Sequence, residues 1–293
     1  MAKFTSKLAI GTANFGMNYG VNNVAGKLSD RELSKVLTSA CEFGIRTFDT
    51  AQAYGDSEIR LEPFVQPNSE VITKIRVPIE KNSKPNEVRV AVFESLKNLN
   101  LDKLYGVLVH NPEELIGIHG SQILGQLAEL KEQKVIKKIG VSIYRPELLG
   151  EIMKVFKLDI VQVPFNIFDQ RILLSGWANK LKSNCVEIHA RSAFLQGLLL
   201  VESKFLPEKF QSNWPELFHK WYDYQVDMDE SADTIALNYC LQQPWIDKVV
   251  VGVDSADQLK RLSLIEKLHI KNNFFGFSVK DENLIDPSNW NRL

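Results

Sequence analysis

The amino-acid sequence predicts an α/β fold, a single (β/α)8 TIM barrel that spans residues 1–293. Short apolar, β-branched segments alternate with amphipathic helical segments along the whole chain, which is typical of parallel βαβ units. Eight such units in 293 residues fit a closed barrel. A doubly wound open sheet is the alternative, but it usually carries a GxGxxG turn after its first strand. The sequence contains no such motif.

The predicted strands are short runs rich in valine and isoleucine. They cover residues 8–12, 46–50, 70–75, 105–110, 137–143, 160–165, 186–192 and 248–253. The predicted helices carry apolar side chains at helical spacing. They cover residues 29–44, 86–100, 121–135, 146–156, 234–243 and 255–267. The first helix starts with the capping residue Ser29 and stops at Gly44, a residue type that often ends helices.

Two regions exceed a minimal βα repeat. Residues 198–230 form a long loop or helical insertion rich in aromatic side chains, and residues 268–293 form a C-terminal tail. Long insertions at one end of a barrel often shape a pocket. The alternative is a surface helix packed by its own aromatic side chains, and the sequence alone leaves both interpretations open.

Composition and charge narrow the class of protein. Lys and Arg number 35 against 36 Asp and Glu, so the net charge of -1 gives no electrostatic reason to expect a nucleic acid or a membrane as partner. No apolar run approaches the roughly 20 residues of a membrane helix, and the N-terminus lacks a signal core. The three cysteines show neither zinc-ligand spacing nor a disulfide framework. We therefore expect a cytoplasmic protein without a bound metal.

Candidate catalytic residues follow three neighbouring strands. The second strand ends in Asp49 and the next loop carries Tyr54, the third strand ends around Lys74, and the fourth ends in His110. Each residue taken alone has an ordinary structural explanation, such as a helix cap, a packed ring or a turn. Because catalytic groups of such barrels lie at the carboxyl ends of the strands, the four together indicate one active site.

The four side chains suit one kind of chemistry. A phenol has a pKa of about 10 and is a weak acid near neutrality, but an adjacent ammonium group stabilises the phenolate. A carboxylate keeps that ammonium charged, and an imidazole orients a carbonyl oxygen by hydrogen bonding. Such a group can polarise and protonate an oxygen while another donor attacks the carbon. Since no metal-ligand spacing is present, an organic hydride carrier is the expected donor.

The segment DTAQAYGDSE (49–58) closely resembles the motif with the catalytic Asp and Tyr of the aldo-keto reductase superfamily. ITKI (72–75) and VLVHNP (107–112) resemble its Lys and His segments. Further matches, in the expected order, are LAIGTANFG, KKIGVSIYRPELL, VQVPFNIFDQR, RSAFLQGLL and VVVGVDSADQL. The resemblance implies a barrel that binds an extended nicotinamide dinucleotide without a Rossmann fold and reduces an aldehyde or ketone, a small-molecule carbonyl substrate.

The resemblance also implies roles for individual residues. Tyr54 would be the general acid, Lys74 and Asp49 the pair that tunes it, and His110 the group that orients the carbonyl. The cofactor would contact Gly11, Thr12, Asp49, Ser142, Gln162, Arg191, Ser192, Phe194, Gln196, Gly197, Gly252, Val253, Asp254 and Gln258. Candidate substrate contacts are Tyr19, Asn111 and Trp177.

The sequence departs from the family pattern near the nicotinamide. Ile143 follows Ser142 where the family often has Asn. Arg191 aligns with a position where a Tyr commonly stacks on the nicotinamide. A guanidinium can also stack on a ring, but its charge should repel the oxidised, cationic nicotinamide. We therefore hypothesise that Arg191 favours the reduced cofactor.

The adenosine end and the substrate are less defined. NADPH-preferring members commonly have basic residues where this chain has Val253, Asp254 and Gln258. NADP(H) is the family default and NAD(H) the alternative, because Asp254 would repel a 2′-phosphate or accept a ribose hydroxyl. The polar loop at 14–26 and the aromatic insertion suggest a sugar-like substrate. Oligomeric state and reaction direction stay open.

Two other functions fit the same barrel. One is a redox-sensing or regulatory subunit that binds the cofactor without catalysis, a role that the complete set of four candidate residues argues against. The other is an isomerase or aldolase with Lys74 as a Schiff base, which requires a neutral lysine. Asp49 nearby would instead keep Lys74 charged.

Overall fold

Eight parallel strands form the centre of the molecule. The structure, a computed structural model, describes residues 4–20, 23, 26–76, 87–268 and 274–292. The strands are β1 Leu8–Gly11, β2 Thr47–Asp49, β3 Glu70–Ile75, β4 Leu104–Val109, β5 Ile136–Ser142, β6 Ile160–Pro164, β7 Glu187–Arg191 and β8 Lys248–Val251. Each predicted strand agrees with an observed one within two residues at either end, because buried parallel strands read as apolar runs.

The strands close into one barrel in the order β1 to β8. The closing pair is β1 with β8, where Ala9 lies opposite Val250. On its other side β1 pairs with β2, where Gly11 lies opposite Asp49. The predicted single-domain (β/α)8 barrel is thereby confirmed, and the carboxyl ends of all eight strands meet at one rim.

Helices connect the strands and cover the barrel. They are α1 Ala13–Gly16, α2 Asp30–Glu42, α3 Ser57–Leu61, α4 Glu87–Leu99, α5 Glu113–Ile116, α6 Gly120–Glu132, α7 Leu149–Val155, α8 Arg171–Leu174, α9 Trp177–Ser183, α10 Glu208–Asn213, α11 Pro215–Met228, α12 Ala232–Leu241, α13 Ala256–Ser263 and α14 Glu282–Ile285. The six predicted helices correspond to α2, α4, α6, α7, α12 and α13. The Ser29 hydroxyl accepts from the Glu32 N–H at 3.2 Å and caps α2, as predicted.

The barrel has an inner and an outer apolar layer. Inside it, Ile72, Leu108 and Ile160 form a small cluster of fully buried side chains. A Cβ on Gly106 would lie 2.9 Å from Ile160 Cδ1, and one on Gly140 would lie 2.3 Å from the Ile160 carbonyl oxygen. Glycine at these two positions therefore lets the isoleucines fill the barrel centre. The larger core lies between the strands and the surrounding helices.

The long region 198–230 contains α10 and α11, and its aromatic side chains pack together. Phe210 lies against Phe218 and also meets Trp290 of the tail at a centroid distance of 5.0 Å. The tail is fixed further by the Val279 N–H, which donates to the Phe168 carbonyl oxygen at 2.9 Å. This packing favours the surface-helix interpretation of the insertion, although Leu200 at its start also lines a cleft.

Six helical segments, α1, α3, α5, α8, α9 and α14, lie where no helix was predicted. Each is seven residues or shorter and buries few apolar side chains; α9, for example, buries Ala178 and Leu181. A single turn or two gives too few repeats for helical periodicity to emerge. Within the described ranges, no helix is both long and apolar enough to cross a bilayer.

Candidate active site

Lys74, near the end of β3, contacts both Asp49 at the end of β2 and Tyr54 in the loop that follows β2. Its ammonium donates to Asp49 Oδ2 at 2.5 Å, to the Thr50 carbonyl oxygen at 3.1 Å and to the Tyr54 hydroxyl at 3.3 Å. The side chains of Lys74 and Asp49 are 1% and 5% exposed. All three donor protons of the ammonium thus have acceptors, so the charge is fully compensated within the barrel.

The charge on Lys74 is set by two opposing effects. Burial alone would lower the pKa of the ammonium, but the Asp49 carboxylate and the Tyr54 hydroxyl outweigh it and raise the pKa above its ordinary value. Lys74 is therefore a cation throughout the neutral range. This opposes the Schiff-base alternative, which needs an uncharged lysine.

Backbone packing fixes the loop that carries Tyr54. A Cβ on Gly16 would lie 1.7 Å from the Tyr54 carbonyl oxygen, and Gly55, at a φ of 61°, would place a Cβ 2.4 Å from the Gly16 carbonyl oxygen. Two glycines are therefore required where α1 meets this loop. Beneath them, the buried Ser57 hydroxyl donates to the Thr12 carbonyl oxygen at 2.9 Å. The ends of β1 and β2 thus hold Tyr54 in place together.

His110 follows β4 and faces the same phenol. Its ring meets that of Tyr54 edge-on, with centroids 6.1 Å apart. Burial, with smaller contributions from Lys74, Arg76 and Arg191, lowers the pKa of His110 to about 3. The ring is therefore a neutral imidazole at neutral pH, with one donor and one acceptor nitrogen. Nδ1 is buried and has no hydrogen-bond partner among the described residues.

The second carboxylate oxygen of Asp49 is held by Gln162, and Gln162 in turn contacts Ser142. Gln162, fully buried on β6, donates from Nε2 to Asp49 Oδ1 at 2.6 Å. The Ser142 hydroxyl lies 3.2 Å from Gln162 Oε1. Sequence reasoning assigned Ser142 and Gln162 to the cofactor and missed the contact of Gln162 with Asp49. Their role toward a cofactor stays a prediction.

A cleft of about 250 Å³ opens beside Asp49 and Tyr54. The predicted cofactor residues that line it are Gly11, Thr12, Asp49, Arg191, Ser192, Phe194, Gln196, Gly197, Gly252, Asp254 and Gln258. Ser142, Gln162 and Val253 are outside this lining and buried. The cleft thus joins the ends of β1, β7 and β8 to Asp49 and Tyr54, as an extended ligand would require.

Asn14 is a lining residue that the sequence did not single out. It is 4% exposed, and its Nδ2 donates to the Val253 carbonyl oxygen at 2.7 Å and to Asp254 Oδ1 at 3.0 Å. Its Oδ1 is buried and lacks a hydrogen-bond partner among the described residues. Such an atom fits a ligand donor, because a buried amide oxygen without a partner is otherwise costly. A polar residue between Ala13 and Phe15 was the only signal in the sequence.

Arg191 stacks on a protein ring. Its Cζ lies 4.0 Å from the centroid of the Tyr144 ring. One guanidinium nitrogen donates to the Ile143 carbonyl oxygen at 3.1 Å, and the other donates to the Ser192 hydroxyl at 3.3 Å. The guanidinium is thereby fixed at the wall of the cleft near the end of β7.

The three candidate substrate residues lie in different places. Tyr19 lines the cleft, and burial, with a smaller effect of Tyr54, raises the pKa of its hydroxyl to about 12. Asn111 lines a second cavity of about 430 Å³ together with His110 and Arg76. Trp177 lines neither cavity: it begins α9 and packs against Lys180, whose Nζ lies 4.0 Å from the ring centroid. Helix α9, which was not predicted, places this ring in the outer helical layer.

Comparisons with known proteins identify a family and several relatives. The model of the Aldo/keto reductase family matches residues 7–273. The D-threo-aldose 1-dehydrogenase of a Pseudomonas species is 24% identical over 86% of this chain and 89% of its own length. The pyridoxine 4-dehydrogenase of Escherichia coli K12 is 28% identical over 87% and 90% of the two chains.

Solved structures share the fold. The holo form of aldo-keto reductase AKR11C1 from Bacillus halodurans superposes with a TM-score of 0.70 over 91% of this chain and 88% of that one, at 20% identity. This likeness supports the same barrel architecture. The family match covers nearly the whole chain and includes every strand of the barrel. The chain belongs to the aldo/keto reductase family.

Proposed function

We propose that this protein is an NAD(P)H-dependent reductase that converts an aldehyde or ketone to an alcohol. The observation that carries the proposal is the buried contact of Lys74 with both Asp49 and the Tyr54 hydroxyl, at the end of a cleft. This arrangement provides a phenol whose conjugate base is stabilised by a nearby permanent cation. A nicotinamide dinucleotide, when bound, supplies a hydride to the carbonyl carbon.

In this proposal Tyr54 donates its proton to the carbonyl oxygen as the general acid. Lys74 stabilises the phenolate that remains, and Asp49 keeps Lys74 charged and directed at the phenol. His110, a neutral imidazole, donates one hydrogen bond to the carbonyl oxygen and orients it. Because these groups sit in a buried, preorganised site, they stabilise charge on the oxygen at little reorganisation cost.

The cleft suits the cofactor of such a reaction. The proposed holding residues come from the ends of β1, β7 and β8, with Asn14 offering a buried amide oxygen. Ser142 and Gln162 lie next to Asp49 and are the proposed contacts of the nicotinamide carboxamide. NADP(H), the default of the family, and NAD(H) are both compatible with this part of the site.

For the substrate we propose a small hydroxylated carbonyl compound, such as a sugar-like aldehyde. The relatives reported above are named for an aldose and for pyridoxine, both rich in hydroxyl groups. Tyr19 in the cleft and Asn111 in the cavity beside His110 offer polar groups that suit hydroxyls. The region 198–230, by contrast, is occupied largely by its own aromatic packing.

The test separates binding from turnover. The purified protein is titrated with each reduced nucleotide by quenching of tryptophan fluorescence, and then a generic aldehyde such as 4-nitrobenzaldehyde is added. We expect the protein to bind a reduced nucleotide and to oxidise it slowly once the aldehyde is present. In Tyr54→Phe the turnover should fall by at least about 10²-fold, while nucleotide binding stays unchanged. Binding without turnover of any aldehyde would favour the regulatory-subunit alternative. Absence of binding would refute the proposal.

A further inference from the structure

The turn after β8 lies on the opposite side of β1 from the catalytic strands. In barrel order β8 adjoins β1, and β1 adjoins β2, where Asp49 and the Tyr54 loop are located. A dinucleotide whose reactive ring lies beside Tyr54 must extend along the cleft toward this turn, which contributes Gly252, Asp254 and Gln258. This step rests on the proposed function. It assigns the turn to the adenosine half of the cofactor.

The carboxylate at this end is held in position. Asp254 Oδ1 accepts from Asn14 Nδ2 at 3.0 Å, and Asn14 itself is anchored on the Val253 carbonyl oxygen. The Asp254 N–H donates to Gln258 Oε1 at 2.7 Å. The fixed carboxylate therefore presents acceptor oxygens to the cleft rather than a donor or a cation.

Two backbone donors next to it are already used. Helix α13 begins at Ala256, and its first N–H groups would ordinarily be free to bind a phosphate. Here the Ala256 N–H donates to Glu32 Oε1 at 3.0 Å, and the Gln258 N–H donates to the Ser255 hydroxyl at 3.1 Å. The Ala256 N–H and Lys35 hold the pKa of Glu32 below its usual range. A second carboxylate thus occupies the position of an incoming anion.

Three of the cations around the turn have partners outside the cleft. Arg191 is the one Lys or Arg among the described residues that line the cleft, and it is fixed on Tyr144 beyond β7. Lys35 pairs with Glu32 at 3.2 Å. Arg261 lies 3.9 Å from Asp233 of α12. The described residues of this turn that line the cleft therefore offer a 2′-phosphate no basic side chain, and the N–H groups of Ala256 and Gln258 are already engaged.

We propose that the cleft selects NAD(H) over NADP(H), and that Asp254 is the residue that sets this choice. A ribose 2′-hydroxyl donates a hydrogen bond to a carboxylate, whereas a 2′-phosphate carries a charge of about −1.5 to −2 and is repelled by it. Selection of this kind works mainly by repulsion of the wrong ligand. The discrimination resides in the adenosine half and is independent of the chemistry at Tyr54.

Direct binding tests the inference without turnover. The intact protein is titrated with NADH and with NADPH at low ionic strength, by tryptophan fluorescence and calorimetry. We expect NADH to bind at least about tenfold more tightly, which corresponds to about 1.4 kcal/mol. Because exposed charges are screened by salt, the ratio should shrink as salt is added.

Variants assign the effect to the residue. Asp254→Asn keeps the side-chain shape and should raise the affinity for NADPH while leaving that for NADH within a few-fold. Asp254→Arg should reverse the preference. Asp257→Asn is the matched control, since Asp257 is exposed in the same turn and outside the cleft lining, and its ratio should equal that of the wild type.

The outcomes are distinguishable. Tighter binding of NADPH by the wild type, or a ratio that Asp254→Asn does not change, overturns the selection proposed here and leaves the reductase proposal standing. Failure of both nucleotides to bind overturns the reductase proposal and this inference together. A normal melting temperature of each variant confirms that the affinity change arises in a folded protein.

Discussion

Replacing Asp49 by Asn tests the electrostatic core of the site. The substitution keeps the side-chain shape and leaves an oxygen that can accept from Lys74 or from Gln162, but it removes the carboxylate charge. Lys74, which is 1% exposed, then becomes a buried cation without a counter-ion. Breaking a buried ion pair in this way typically costs about 3–5 kcal/mol of stability. We expect a loss of that size at pH 6.

The pH dependence of this loss carries a sign that can be checked. In the wild type the pKa of Lys74 is raised above its ordinary value of 10.5, so the pair contributes fully below pH 10.5 and its contribution is lost as pH rises through the raised pKa. Without Asp49, the Tyr54 hydroxyl is left to oppose the effect of burial, and we expect the pKa of Lys74 to fall below 10.5. The unfolded variant then binds the proton more tightly than the folded one, so its stability rises with pH, by up to about 1.4 kcal/mol per pH unit.

Urea unfolding followed by tryptophan fluorescence between pH 6 and pH 10 measures this difference. The gap between wild type and Asp49→Asn should narrow steadily as the pH approaches 10. The double variant Asp49→Asn/Lys74→Met is the control: it lacks the buried cation and should run parallel to the wild type over this range. A gap that stays constant with pH would refute the argument that desolvation of Lys74 is balanced by Asp49.

Two further predictions concern the neighbouring side chains. Burial lowers the pKa of His110 to about 3 from its ordinary 6.5, so the unfolded chain takes up this proton first and stability is lost as pH falls from 6.5 toward 3. His110→Asn should therefore show a shallower decline of its urea midpoint over that range, and an equal decline would contradict the burial effect. Arg191→Tyr should tighten the oxidised nucleotide relative to the reduced one, because a cation fixed at the cleft wall repels a cationic ring. Titration of both forms measures the ratio, Arg191→Lys keeps the charge as a control, and an unchanged ratio would refute the hypothesis.

The strands were predictable because their environment is uniform. A strand buried on both faces leaves little alternative to β-branched, apolar side chains, so a segment such as 70–75 coincides with Glu70–Ile75. The candidate site residues could be anticipated for a related reason: a charged or polar residue at the end of such a strand stands out. In the sequence, Asp49, Lys74 and His110 each directly follow or interrupt a run of mainly apolar strand residues.

The short helices and the loop contacts could not be read in the same way. Helix α9 gains its place from Trp177, Ala178 and Leu181, which pack on tertiary partners rather than follow a long periodic pattern. The close contact of Gly16 in α1 with Gly55 in the loop of Tyr54 brings together two segments that lie 39 residues apart in the chain. Local sequence determines neither, because the deciding neighbours are far away in the chain.

The position of Gln162 shows why the second layer of a site is harder to predict than the first. Its amide reaches Asp49 across 113 residues of chain, from β6 to β2. That contact exists because both side chains point into the closed barrel, and the register of the four successive strand pairs from β2 to β6 sets their heights. A slip of one residue in any pair would turn a whole strand's side chains to the other face. The contact is therefore a property of the closed barrel, and the same dependence holds for Asp254, which reaches Asn14 because β8 pairs with β1.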